Sequence, residues 1–448
     1  MNRAEETKDE ALETLFRLVA QPSISTRGEG MKESVEMLRA VMEDAGIKTR
    51  VLETKGNPAI FGEVGDVPDA PTVLFYGHYD VQPPEPLELW DSDPFEPEVR
   101  DGRIFGRGVA DNKGQHLCHI FAIKAWKEAV GELPVNAKLL IEGDEETGSP
   151  HLADLVSENK NLLAADFVYT SDGGIHASGS PTICFGARGL LYVEVEINGA
   201  NGDAHSGNKG GVLPQPAWEM VELLASLRDS DGKANFPGFR DDVRESTPEE
   251  EAMLRDIPFD RNGFLEEHGL DEPLFEDGAE HHRRLAFEPT FNIAGLSSGY
   301  SGPGSKTIIP AKAVAKIDFR LVPEQTPEKV FEAFTAAVKE RNPNAEVREL
   351  GGVPPSRTDP SSPMSRVVAD TVKKGWNSEP INIPSLGGTL PDYVFTRILG
   401  VPSFIVPYAN HDEKNHAPNE NMKVECFYAG VRTTLSLIEG LGRRGRER

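Results

Sequence analysis

Apolar residues recur at helical spacing over residues 5–20 and 31–46, and the second run closes on Gly46, a residue suited to the end of a helix. Short apolar runs follow at 72–76, 138–141 and 166–169, each of strand length and each ending in a Gly- or Asp-rich turn. Between the first two lies a helix-length amphipathic stretch over 116–130. This alternation predicts an α/β fold around a mixed, mostly parallel sheet. The texture changes near Gly186. Residues 190–197 read as strand, 218–227 as helix, and 236–288 as an acidic stretch with few strand signals. Residues 311–321 (AKAVAKIDFRL) alternate in strand fashion and 327–339 read as helix. After Pro360 the helix-then-strand rhythm returns at 364–375 and 401–407. The pattern predicts a discontinuous first domain, residues 1–186 and 358–448, interrupted by a smaller α+β unit over 187–357.

Composition narrows the classes. At ~100–200 residues per domain, 448 residues suit two or three domains, and 38% apolar residues are enough to build real cores. The 47 Lys and Arg against 73 Asp and Glu leave a formal charge of −26, which argues against nucleic acid, whose binding draws on Lys and Arg meeting phosphate. The same charge favours solubility and divalent cations. No apolar run approaches the ~18 residues of a membrane span, and the opening MNRAEETKDE is polar and acidic, so neither a bilayer span nor a secretory signal is expected. Cys118, Cys184 and Cys426 stand far apart with no CxxC pair; reduced thiols in a cytoplasmic protein are the plain reading. The basic tail GRRGRER reads as a frayed terminus rather than a nucleic-acid arm.

The informative feature is where acidic and imidazole groups fall. His78 and Asp80 sit in GHYD directly after a strand-like run, and Asp111 in GRGVADNKG just before a helix. Glu145 and Glu146 follow the run KLLIEGD, Asp172 follows ADFVYTS, and His416 lies in NHAPNE after VPSFIVPY. In an open α/β sheet, ligands bind beyond the carboxyl ends of the strands. Each residue taken singly has a plainer explanation: a turn histidine, a solvated acidic pair, an Asp in a tight turn, a loop cap. Five segments delivering ligand-type side chains to one sheet edge are hard to explain that way. Imidazole and carboxylate suit Zn²⁺ first, with Mn²⁺ or Co²⁺ as alternatives. The number of donors is too large for one tetrahedral site and fits two divalent ions sharing a bridging carboxylate, ~3.5–4 Å apart. Successive side chains diverge, so one of Glu145 and Glu146 binds metal while the other stays free as a general base. By contrast, His281 and His282 lie beside Arg283 in the acidic stretch and read as solvated, and His119 reads as a core histidine.

The ordered set GHYDVQP, GRGVADNKG, EGDEETGS, SDGG and NHAPNE resembles the M20 metallopeptidases, which include carnosinase-like and cytosolic nonspecific dipeptidases, acetylornithine deacetylase and succinyl-diaminopimelate desuccinylase. The likeness runs through nearly the whole chain. It implies that Asp111 bridges two metals, that His78 and Asp172 complete one site, and that Glu146 and His416 complete the other. By the same resemblance Glu145 takes a proton from the bridging water and passes it to the leaving amine, while Asp80 fixes the tautomer of His78. A non-proline cis peptide is implied at Asp111–Asn112. The segment GDAHSG resembles the family's substrate-facing histidine segment. There His205 would reach the active site of a partner subunit and stabilise the oxyanion, which makes 187–357 a lid and dimerisation domain and the protein a homodimer. GYSGPGSKTIIPAKAVAKIDFRLVP resembles the dipeptidase branch, where Thr307 and Arg320 bind the substrate's C-terminal carboxylate. GGTLPD resembles a substrate loop in which Gly387, Gly388 and Thr389 offer backbone and hydroxyl donors.

The expected function is therefore hydrolysis of small-molecule dipeptides by a dinuclear metal site. An N-acyl-amino-acid deacylase, using the same metals, is the alternative. A metal-free relative would lack a ligand or Glu145, and every expected position is filled. A serine or cysteine hydrolase is disfavoured, because no cysteine lies in a recognisable motif. One departure stands out: the family's bridging segment often reads D-D-K-G, and here Asn112 takes the second position.

Overall fold

The computed structural model describes residues 8–445, so the first residues of the predicted opening helix, 5–7, and the last of the basic tail, 446–448, lie outside the described residues. The larger of its sheets has eight strands, in the order Lys48–Leu52, Ala59–Val64, Asn136–Glu142, Thr72–His78, Phe167–Thr170, Ser403–Ile405, Thr182–Cys184 and Ile381–Ile383. Four adjacent strands, Asn136–Glu142 to Ser403–Ile405 in that order, run parallel, so their carboxyl ends share one edge. The pair Lys48–Leu52 and Ala59–Val64 extends the sheet antiparallel.

Side chains of a strand alternate between faces, and the two faces here enter different cores. Val73 and Phe75 pack with Leu117 and Ile120 of helix Lys113–Val130 and with Phe427, Leu437 and Ile438 of helix Val424–Gly445. Leu74 and Tyr76 pack on the opposite face with Leu152, Leu155 and Phe395. Both faces being covered explains why these strands read as continuous apolar runs. The helix Met31–Asp44 ends as its sequence suggests: Gly46 has φ +73°, its N–H donates to Glu43 O at 2.9 Å, and the Ile47 N–H donates to Met42 O at 3.0 Å.

Between the two stretches that build this sheet, the chain makes a four-stranded antiparallel sheet in the order Thr290–Ser298, Lys312–Leu321, Gly189–Asn198, Glu346–Val353. Its inner face (Leu191, Val193, Val195, Ala315, Ile317, Phe319) packs on Leu223 and Leu224 of helix Pro216–Ser226 and on Val330 and Phe334 of helix Pro327–Arg341. The chain enters and leaves it through two paired segments, with Ser356 N–H donating to Ala187 O at 3.0 Å and Thr358 N–H to Phe185 O at 2.6 Å. Gly186 is required there, since a Cβ would sit 2.3 Å from Ser356 O.

Several elements are absent from the sequence pattern. The acidic stretch 236–288 holds three helices, Pro248–Asp256, Arg261–His268 and Gly278–Phe287, the first closed by a capping box between Thr247 and Glu250. The strands Thr290–Ser298 and Glu346–Val353 are sheet edges, mostly exposed, so their apolar alternation is weak. Helix Val424–Gly445 is the longest of the described helices, and its Phe427, Val431, Ile438 and Leu441 form an apolar stripe that the expected elements do not include.

Candidate metal centre and active site

The four parallel strands place the chemistry. His78 closes strand Thr72–His78; Glu145 and Glu146 form a tight turn three residues after Asn136–Glu142; Asp172 follows Phe167–Thr170; His416 lies on the loop between Ser403–Ile405 and Asn421–Lys423. Asp111 stands just before helix Lys113–Val130, and its peptide bond to Asn112 is cis.

These residues converge. Asp111 sits between two imidazoles: its Oδ1 is 3.0 Å from His78 Nε2 and its Oδ2 is 3.2 Å from His416 Nε2. Asp172 Oδ2 lies 3.7 Å from His78 Nε2, and Glu146 Oε2 lies 3.1 Å from His416 Nε2. The donor atoms of His78, Asp111 and Glu146 lie within 4.8 Å of one another. Asp80 faces His78 Nδ1 at 3.3 Å, and its two carboxylate oxygens accept the backbone N–H groups of Glu145 (3.2 Å) and Glu146 (3.0 Å). One carboxylate thus orients the imidazole and the glutamate turn together.

Electrostatics report the same demand for positive charge. Hydrogen bonds to Asp111 and Glu146 push His416 up to about 10. Burial opposes protonation of His78, yet Asp111 and Asp80 hold its pKa well above the ordinary imidazole value. Burial raises Asp172 to about 7, with the Asp111 charge adding to it. Burial also raises Glu145 well above the carboxylate range, opposed by His78 and assisted by Asp172, Asp111 and Glu146. Two imidazoles inside a nest of carboxylates form a donor set of the kind that holds divalent cations, and those present fit a dinuclear pair.

The expected substrate residues fall into two groups. Arg320 Nη1 donates to Thr389 Oγ1 at 2.9 Å, bringing the second sheet against the GGTLPD loop, where Gly387 is half-buried and Gly388 exposed. His205 and Thr307 meet elsewhere: Ala204–His205 pairs with Ile308–Ile309, and Ser206 N–H donates to Thr307 O at 3.0 Å. Both residues are exposed, and His205 Nδ1 accepts from Gly207 N–H. Among the described residues, no hydrogen bond or ion pair joins either of them to the cluster around Asp111.

The sequence matches the model of peptidase family M20/M25/M40 over residues 74–440, a span that contains every member of this cluster. The chain belongs to that family. It is 31% identical to the Beta-Ala-His dipeptidase of Rattus norvegicus over 418 residues, covering 91% of this chain and 84% of that protein. It is 30% identical to the Cys-Gly metallodipeptidase dug1 of Schizosaccharomyces pombe, covering 97% and 96%. Among solved structures it resembles the M20 family metallo-carboxypeptidase Sso-CP2 of Sulfolobus solfataricus, at 36% identity and TM-score 0.89, covering 97% of this chain and 99% of the other. As a member of the M20 family this protein is an enzyme, a hydrolase acting on peptide bonds.

The M20 site contains supporting residues that the sequence reading left without a role. Glu420, fully buried, accepts from the Ala110 and Asp111 N–H groups on Oε1 (2.9 and 3.0 Å) and from Gly108 N–H and Arg107 Nη1 on Oε2 (3.0 and 2.8 Å). It clamps the backbone that carries Asp111. Asn112 donates from Nδ2 to Ser171 O at 2.6 Å and accepts the His78 N–H at 3.4 Å, so the departure from D-D-K-G ties two ligand segments together without adding a charge. Gln82 donates to both the backbone and the carboxylate of Glu146. All three stand inside the motifs, but only their contacts reveal the roles. The solvated reading of His281 and His282 is corrected: both are half-buried, with the Phe259 ring 4.7 and 5.9 Å from theirs, because the acidic stretch folds into helices with its aromatic residues turned inward. His119 is a core histidine, stacked on Phe75 at 4.4 Å and bonded to Thr434 Oγ1 at 2.9 Å.

Proposed function

We propose that this protein is a dinuclear metallodipeptidase, and one observation carries the reading: the Asp111 carboxylate lies between the His78 and His416 imidazoles at 3.0 and 3.2 Å. A carboxylate with one oxygen toward each imidazole has the arrangement of a bridging ligand. His78 and Asp172 would hold one ion, Glu146 and His416 the other, with Zn²⁺ the first candidate and Mn²⁺ or Co²⁺ also suited. When bound, such a pair polarises the scissile carbonyl and acidifies the attacking water.

The remaining roles belong to the chain. Glu145 accepts the proton from the attacking water on its carboxylate and delivers it to the departing amine nitrogen. Asp80 holds the His78 tautomer and the glutamate turn. Arg320 receives the substrate's free C-terminal carboxylate, with Thr389 beside it and Gly387 and Gly388 as backbone donors, while Thr307 stands with His205 and would reach the carboxylate only from a second copy of the chain. A dipeptidase and a carboxypeptidase both release a residue bearing that carboxylate, so the two kinds of relative agree on this subsite.

We read residues 1–186 and 358–448 as the catalytic domain and 187–357 as a lid that dimerises. Support comes from the separate core of the second sheet and from apolar side chains on its surface: Val212, Trp218, Ile293 and Leu296 are 77%, 62%, 42% and 54% exposed. A second copy covering that surface would carry its His205 toward the active site, as an oxyanion donor. Among the described residues no helix is long and apolar enough to cross a membrane, and three buried, unpaired cysteines support a cytoplasmic setting.

The test is hydrolysis of a dipeptide panel beside N-acetyl- and N-succinyl-amino acids, before and after chelation and with Zn²⁺ or Mn²⁺ restored. Metal-dependent cleavage of dipeptides with a free carboxylate is expected. Cleavage of the acylated amino acids alone would keep the metal site and replace the substrate class with that of the deacylases.

A further inference from the structure

Arg188 stands where the chain passes from the first sheet into the second. The residue is only 7% exposed, yet Nη1 is buried with no hydrogen-bond partner among the described residues. Its backbone N–H donates to Leu386 O at 3.1 Å, and its Nε donates to Gly387 O at 2.9 Å. Both bonds grip the loop that also carries Thr389. The second sheet brings another guanidinium to the same loop: Arg320 pairs with Leu190, two residues after Arg188, and its Nη1 donates to Thr389 Oγ1 at 2.9 Å.

A guanidinium in water satisfies all its donors at no cost, whereas a buried orphan N–H and an uncompensated buried charge are both expensive. Asp318 is the nearby counter-charge, its Oδ1 3.9 Å from Arg320 Nε and its Oδ2 already accepting from Asn292 Nδ2 at 2.8 Å. Two guanidinium charges against one carboxylate leave a single positive charge at the loop. That is the complement of one substrate carboxylate. Burial, followed by the Arg320 charge, lowers Arg188 to about 10, so it still carries its proton at neutral pH.

We propose that Arg188 is a positioning and specificity-determining residue of the carboxylate subsite, fixing the Gly387–Thr389 loop and supplying the second cation that makes the pocket select a monoanionic C-terminus. The inference rests on Arg320 as the carboxylate ligand. It is tested with the metal-loaded enzyme on one dipeptide as its free acid and as its C-terminal amide, comparing wild type, Arg188→Gln, Arg188→Lys and Arg320→Gln, with a thermal melt of each variant.

Wild type is expected to prefer the acid. Arg188→Gln should lower kcat/KM for the acid about 10²-fold, mainly through KM, and that for the amide by less than about tenfold through the loosened loop, so the preference collapses. If Arg188→Gln does not fold, Arg188→Lys carries the same test, because it keeps the charge but loses the planar fork and should lose part of the preference. A parallel fall for acid and amide, or an unchanged preference, overturns the assignment. A wild type indifferent to the amide overturns the Arg320 reading and this one together. Collapse in Arg320→Gln with none in either Arg188 variant overturns this one alone.

Discussion

The cluster around Asp111, the floor of the site, and the exposed edge that carries His205 are built to opposite standards. On the floor, groups around Asp111 are held by neighbouring side chains: His78 by the buried Asp80, the Asp111 backbone by the buried Glu420, and Glu146 by Gln82. At the other edge, His205 and Thr307 stand exposed at a two-stranded ladder and the residue before it, and among the described residues no hydrogen bond or ion pair reaches their side chains beyond the local turn. The contrast teaches where preorganisation is needed. A nest of charges keeps its geometry only if neighbouring dipoles fix each member before the ions arrive. A group whose partner is the substrate, or a second copy of the chain, must remain open until that partner comes.

The largest effect should come from the floor. Glu145→Gln keeps the metal-facing side chains intact and is expected to retain full metal content by elemental analysis while losing ~10²–10⁴ in kcat. Loss of metal with unchanged activity per bound ion would show that Glu145 is not the base.

The exposed edge is next. His205→Ala should cost ~10²–10³ in kcat with metal content unchanged. Mixed dimers sharpen the point, since His205→Ala combined with Glu145→Gln regains activity only if one chain lends its histidine to the other's site. No recovery in verified mixed dimers would mean that His205 acts within its own chain or not at all.

The smallest effect concerns the seam between the regions. His282, on helix Gly278–Phe287, is held down to about 4 by burial first and then by the charges of His281 and His176, the last on the loop that follows Asp172. The unfolded chain, with an ordinary imidazole near pH 6.5, therefore binds more protons than the folded one between about 4 and 6.5. Stability contributed by this site is present above that window and is lost as pH falls through it. His282→Gln should narrow the gap in melting temperature between pH 7 and pH 5; an unchanged gap would mean that His282 plays no part in acid sensitivity.

Much of the floor was legible because its signals are local. Each ligand follows a strand-like run, and the alternation of runs with helices predicts a parallel sheet with one shared edge. The cis bond at Asp111–Asn112 and the α/β class were likewise readable, the former through family likeness. The helices within 236–288 were not, since their apolar residues are too sparse to show a stripe and their order depends on packing against one another and on Ile381 and Ile383. Edge strands such as Glu346–Val353 were hidden for a related reason: with little to bury, they carry little pattern.

By itself, then, the sequence determined the chemical inventory and its order: which groups stand at the ends of which strands, and hence that imidazoles and carboxylates from distant segments meet at one edge. Tertiary structure alone decided the couplings. Glu420 is far from Asp111 in sequence and bonds its backbone; Arg188 and Gly387 meet only because a connector crosses a loop. Spacing along a chain encodes what a residue can do, but a hydrogen bond between distant segments depends on how both are packed, and no local pattern records that.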